Sequence, residues 1–126
     1  MFRQILFCGA MLLAAVPLRG DETPLDEAVM ETMEIVNESL GSNLGLRKAD
    51  AVAADAGDLE ALFAEVEAYF TRRGDAADAV GYAKKSREAM AGVREAAAKG
   101  DFEAAAGLAS EVSRTCKACH RKYKPD

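Results

Sequence analysis

The sequence predicts an all-α fold, an antiparallel up-down-up-down four-helix bundle built from residues 21–126. Three observations carry that expectation. Apolar residues recur at helical spacing in four successive segments. Proline stands only at Pro17, Pro24 and Pro125, outside every periodic segment. The chain also reads basic–Gly–Asp twice, at 73–75 and at 99–101, a helix stop followed at once by a helix start. No stretch alternates β-branched residues as a strand would.

The first helix is expected to begin at "TPLDE". Thr23 can cap it, Pro24 suits the first helical position, and Asp26 takes the capping-box position. Its apolar stripe is Leu25, Val29, Met33, Val36, Leu40 and Leu44, with Met30 beside it, and Gly41 and Gly45 weaken its end. The second helix should start near Asp50 and bury Val52, Ala56, Leu59, Leu62, Phe63, Val66 and Phe70. "AGD" at 56–58 is a point where it could kink or break. Gly74 is placed to end it, and Asp75 to cap the third helix. That helix turns Ala79, Val80, Ala83, Met90, Val93 and Ala97 inward. After Gly100 and Asp101 the fourth carries Phe102, Ala105, Ala109, Val112, Cys116, Cys119 and Tyr123. Loops this short join antiparallel neighbours, hence the bundle.

At 126 residues the chain makes one domain. Half of it is hydrophobic and 29% charged, which predicts a packed core under a solvated surface. A formal charge of −5 argues against nucleic acid as a partner and leaves room for a basic or dipolar protein surface. Residues 1–20 read differently. Arg3 precedes the apolar run "ILFCGAMLLAAV", which is too short to span a bilayer comfortably. We read a secretory signal peptide cleaved after Gly20, against the alternative of a retained anchor. Cys8 leaves with it, so no membrane span is expected in the mature protein. The two cysteines that remain, in "CKACH", then enter an oxidising compartment.

That pentapeptide carries the chemistry. C-x-x-C-H is the attachment signature of c-type haem. Residues three apart share one face of a helix, so Cys116 and Cys119 can both form thioethers to one haem edge. His120 follows directly and can turn its imidazole to the iron as proximal ligand. Other uses compete. A structural zinc site wants four ligands, and adjacent Cys119 and His120 chelate poorly. A thioredoxin-type dithiol expects a βαβ setting. A plain disulfide leaves the histidine without a role.

"TCKACHRKY" at the end of a four-helix chain resembles the class II c-type cytochromes, the cytochrome c-prime family. "DLEALFAEVEAYFTRRGDAADAV" and "AAAKGDFEAAAGLASEVSRTCKACHRKY" are similar to small periplasmic members of it. The resemblance implies one covalent haem c between the helices, held by Cys116, Cys119 and His120. It also implies an aromatic and a basic residue just past the motif, matched by Tyr123 and Lys124, with Lys124 contacting a haem propionate. It leaves a homodimer through the first two helices as one option.

In this family the residue opposite the histidine comes from the first helix. An apolar residue there leaves five-coordinate iron open to small gases, whereas methionine gives low-spin haem suited to electron transfer. A Met/His pair raises the reduction potential. Here "AVMETMEIV" offers Met30 and Met33. Both could instead be gap-filling core methionines. Met30 matches the ligand region of methionine-ligated relatives and is preferred; Met33 sits more centrally in the stripe and is the alternative.

The expectation is thus an exported monohaem cytochrome in the periplasm, passing one electron at a time between redox partner proteins, and not an enzyme. The rival is a cytochrome c-prime that binds nitric oxide or carbon monoxide as sensor or scavenger. A second rival is a small helical redox or metal module using a bare dithiol.

Overall fold

The structure, a computed structural model, describes residues 25–124. The expected signal peptide, its expected cleavage point and the expected roles of Thr23 and Pro24 lie outside the described residues. Four helices follow one another: α1 (Glu27–Gly45), α2 (Ala49–Arg73), α3 (Ala77–Ala98) and α4 (Phe102–Tyr123). Each packs on its neighbours in sequence, and α4 closes the bundle against α1. The α2–α3 interface is the most extensive and the α1–α4 interface the sparsest. This is the up-down-up-down bundle expected. Among the described residues no helix is long and apolar enough to cross a membrane.

The helix ends show how local chemistry sets the boundaries. Asp26 is itself the N-cap of α1, accepting a hydrogen bond from the Ala28 N–H at 3.0 Å, and not a residue inside the first turn. Gly74 ends α2 with φ +79°, a left-handed cap that costs glycine nothing. Asp101 caps α4 by accepting from the Ala104 N–H. Asp75 does not cap α3: its carboxylate pairs with Arg73 at 2.7 Å, and Ala76 takes the N-cap position. Inside the first turn, the Asp78 carboxylate accepts from the N–H of the next residue, Ala79, at 3.0 Å. α2 runs unbroken through "AGD", because a glycine that meets no crowding lowers helix propensity without bending the helix.

The turn between α1 and α2 departs from expectation. α1 continues through Gly41 to Gly45, and Arg47 takes the left-handed conformation at φ +54°. Such a conformation costs a residue with a Cβ roughly 1–2 kcal/mol. The Arg47 guanidinium lies 4.8 Å over the Phe102 ring, which offsets part of that cost.

The core is Val52, Ala56, Leu59, Phe63, Val66 and Phe70 of α2 against Ala79, Ala83, Met90, Val93 and Ala97 of α3, closed by Met33 and Leu40 of α1 and Ala105 and Val112 of α4. Leu62 and Val80 are only partly buried, at the edges of their stripes. Ser86 and Thr115 are buried although polar. The Thr115 hydroxyl donates to the Glu111 carbonyl at 3.0 Å, which lets it occupy an inner position. At one point α3 and α4 approach closely: a Cβ on Gly92 would lie 2.9 Å from a methyl of Leu108.

Candidate functional site

The topology gathers the chemistry at one end of the bundle. With helices alternating in direction, the end of α4, the start of α1, the end of α2 and the start of α3 lie together. Met30 is in the first turn of α1 and His120 in the last turn of α4. Residues from opposite ends of the sequence thus reach one end of the fold.

Contacts fix which way α4 faces. Leu108 abuts Gly92 of α3, and Lys122 reaches Asp78 of α3 at 2.7 Å. Positions 108, 115 and 122, seven apart, are therefore the seam toward α3. Ala105 and Val112 are fully buried, and Cys119 continues their row toward the bundle axis. Phe102, Ala109 and Cys116 form the next row, on the side away from α3; its far end meets Arg47 of the α1–α2 turn. His120 lies one step further round, on the flank toward α1. Cys116, Cys119 and His120 are all partly buried.

The same reasoning orients α1. Ser39 and Asn43 both donate to the Asp55 carboxylate of α2, at 2.9 and 2.8 Å, and so mark the flank toward α2. Met30 lies on the opposite flank, toward α4, and is partly buried against the core. Met33 lies between the two flanks, on the inner face, and is 8% exposed. Of the two methionines, Met30 is on the edge facing the side of α4 that carries Cys116 and His120.

A clasp beyond the motif holds the last turn of α4. Asp78 accepts hydrogen bonds from the Lys122 ammonium and from the Tyr123 hydroxyl. The Tyr123 ring packs on Phe70 of α2 with centroids 5.2 Å apart, and Arg73 lies over the same ring. The bond from Lys122, then that from Tyr123, holds the Asp78 carboxyl down to about 2. The bond to Asp78, then burial, pushes the Tyr123 hydroxyl up. Sequence reading identified Tyr123 and Lys124 but not Asp78. A lone aspartate two residues into a helix carries no signal of a partner 44 positions away. Lys124 is exposed, and its backbone N–H closes the helix on the His120 carbonyl.

The two sulfurs are free thiols. Burial, then the neighbouring Cys119, pushes the Cys116 thiol up; burial, then the Asp78 charge, pushes that of Cys119 up. Redox-active dithiols have lowered thiol pKa values, so this environment does not suit a thioredoxin-like pair. Nor do three or more His, Cys, Asp or Glu side chains converge as a bare metal site among the described residues. The donor set does fit a covalent haem. Two thiols stand on one partly apolar helix face, an imidazole follows them, and thioether sulfurs stand on the facing helix.

Comparison with models of protein families, with curated proteins and with solved structures finds no match for this chain.

Proposed function

We propose that the chain is an exported monohaem c-type cytochrome of the cytochrome c-prime kind, working in one-electron transfer between periplasmic redox proteins. The observation that carries the reading is the placement of "CKACH". Both thiols lie on the inner side of α4, and the histidine lies on the flank toward α1, at the end where Met30 begins that helix. Cys116 and Cys119 would anchor the haem, His120 would be the proximal ligand, and Met30, or alternatively Met33, the distal one. Lys124 would pair with a propionate.

Bound haem supplies a ferric–ferrous couple at the end of the bundle. The chain's part is to hold it. Two anchoring sulfurs three residues apart fix one edge of the group to a rigid helix. Asp78, Tyr123 and Phe70 keep the turn that bears His120 from fraying, as last turns otherwise do. The apolar core residues that Cys119 packs against would lower the dielectric on that side of the site, a lever on potential. No general base or activated nucleophile enters this reading, so no substrate is turned over.

The test is direct. Protein purified from a host that matures c-type cytochromes should retain haem on a denaturing gel. Cys116→Ala with Cys119→Ala should lose it. A colourless wild-type chain from that host would end the proposal.

A further inference from the structure

The surface beside the site has a charge pattern of its own. From Val112 to Lys124 there is no acidic residue, and the segment holds Arg114, Lys117, Arg121, Lys122 and Lys124 in a chain whose net charge is −5. Lys122 is engaged by Asp78, and among the described residues the other ion pairs use Arg73, Arg87 and Arg94. Arg114, Lys117 and Arg121 are exposed and spaced three and four apart, one strip on the outer flank of α4. Lys117 adjoins Cys116, and Arg121 adjoins His120. The helix dipole accounts for cations in the last turn only, and Arg114 and Lys117 stand further in.

We propose that Arg114, Lys117 and Arg121 form the docking surface for an acidic protein partner, the electron donor or acceptor of the cytochrome reading on which this inference rests. The neighbouring helix selects the kind of partner. α1 exposes Glu27, Glu31, Glu34 and Glu38, also spaced three and four apart, on its outer side at the same end of the bundle. Packed helices lie about 8–10 Å apart, so the surface changes sign over roughly that distance. An extended anionic surface such as a membrane would meet both rows, and the glutamates would repel it. A protein with a compact acidic patch can meet the cations alone. Docked there, it lies on the outer flank of α4, beside His120 and across the helix from the inward-facing cysteines. Complementary charge at such a contact raises the association rate and makes it fall with ionic strength.

The holoprotein is titrated into a fluorescein-labelled ten-residue polyglutamate peptide at low salt, followed by anisotropy. Vesicles of mixed phosphatidylglycerol and phosphatidylcholine are tested in parallel. Arg114→Glu with Lys117→Glu and Arg121→Glu should weaken peptide binding at least about tenfold. Lys48→Glu with Lys84→Glu and Lys85→Glu makes the same change in net charge at exposed sites elsewhere and should alter it less than about threefold. Reduction of the holoprotein by the iron(II)–EDTA dianion should slow as salt is added, although the net negative charge of residues 21–126 alone would make it quicken. Equal loss of binding in both variants, vesicle binding without peptide binding, no binding at low salt, or reduction that quickens with salt would each overturn the proposal. Peptide binding needs no haem, so a colourless protein that still binds through the α4 row would refute the cytochrome reading and leave the surface standing.

Discussion

Exchanging the two methionines of α1 for alanine, one at a time, separates packing from ligation. Met33 is 8% exposed and belongs to the central core, so Met33→Ala removes nearly a whole buried side chain. Substitutions of this kind cost about 2–5 kcal/mol, and a site in the second turn of a terminal helix, free to collapse, belongs near 2–3 kcal/mol. For a domain of about 100 residues each kcal/mol moves Tm by roughly 4–8 °C, which predicts a fall of about 10–20 °C. Met30 is only partly buried, and its packing loss should be nearer 1 kcal/mol, about 5 °C.

The absorption spectrum should rank them the other way. Met30→Ala should convert the ferrous protein to high spin, let it bind carbon monoxide, and lower its potential. Met33→Ala should stay low-spin while melting earlier. The assay is a far-ultraviolet melt and a ferric and ferrous spectrum on each holoprotein. A high-spin Met33→Ala beside a low-spin Met30→Ala would move the ligand to Met33. A high-spin wild type that neither change alters would take both methionines off the iron and make nitric oxide or carbon monoxide binding the better account.

Asp78→Asn should loosen the end of α4, seen as faster amide exchange at Lys122–Lys124. The Asp78 carboxyl is held at about 2 against an ordinary 3.8, so its contribution is complete above the ordinary value and is lost as pH falls toward 2; an acid titration should show that loss in wild type and not in Asp78→Asn. Gly92→Ala would press on the Leu108 methyl at 2.9 Å, so a strain of about 1 kcal/mol should cancel the gain in helix propensity, and Leu108→Ala in the same chain should restore that gain. Gly74→Ala forces a Cβ into φ +79° and should cost roughly 1–2 kcal/mol in chemical denaturation, with the fold unchanged.

Period and punctuation were enough to read the bundle. Val52, Leu59, Val66, Met90, Val93 and Val112 all fall where a 3.6-residue stripe puts them. Gly74 and Asp101 act as the glycine–aspartate pairs imply. Asp75 failed because a nearer partner, Arg73, outcompeted the backbone N–H for its carboxylate. Arg47 was illegible for a different reason: a left-handed arginine depends on Phe102, which lies 55 positions later. Ser86 and Thr115 look like surface residues until neighbouring helices cover them. The cysteines and histidine stand out in sequence because their spacing is local. Asp78 does not, because its role exists only once α3 and α4 are side by side.

The placement of the motif in the last helix follows from the topology. In an up-down-up-down bundle the first and last helices are neighbours, and the end of one lies beside the start of the other. Side chains on α1 and α4 can therefore face each other with no loop between them. The α2–α3 pair provides the firm part of the fold and anchors the end of α4 through Asp78, Phe70 and Arg73. The α1–α4 interface is left sparse. One side of α4 is thus clamped, and the other, with Cys116 and His120, faces the least packed seam of the molecule. A group bound at that seam would be fixed in position by the clamped side. A change at Met30, which is only partly buried, would adjust the group's surroundings at little cost to the rest of the core, whereas a change at Met33 would disturb it. The side chain at position 30 can then vary while the bundle stays the same.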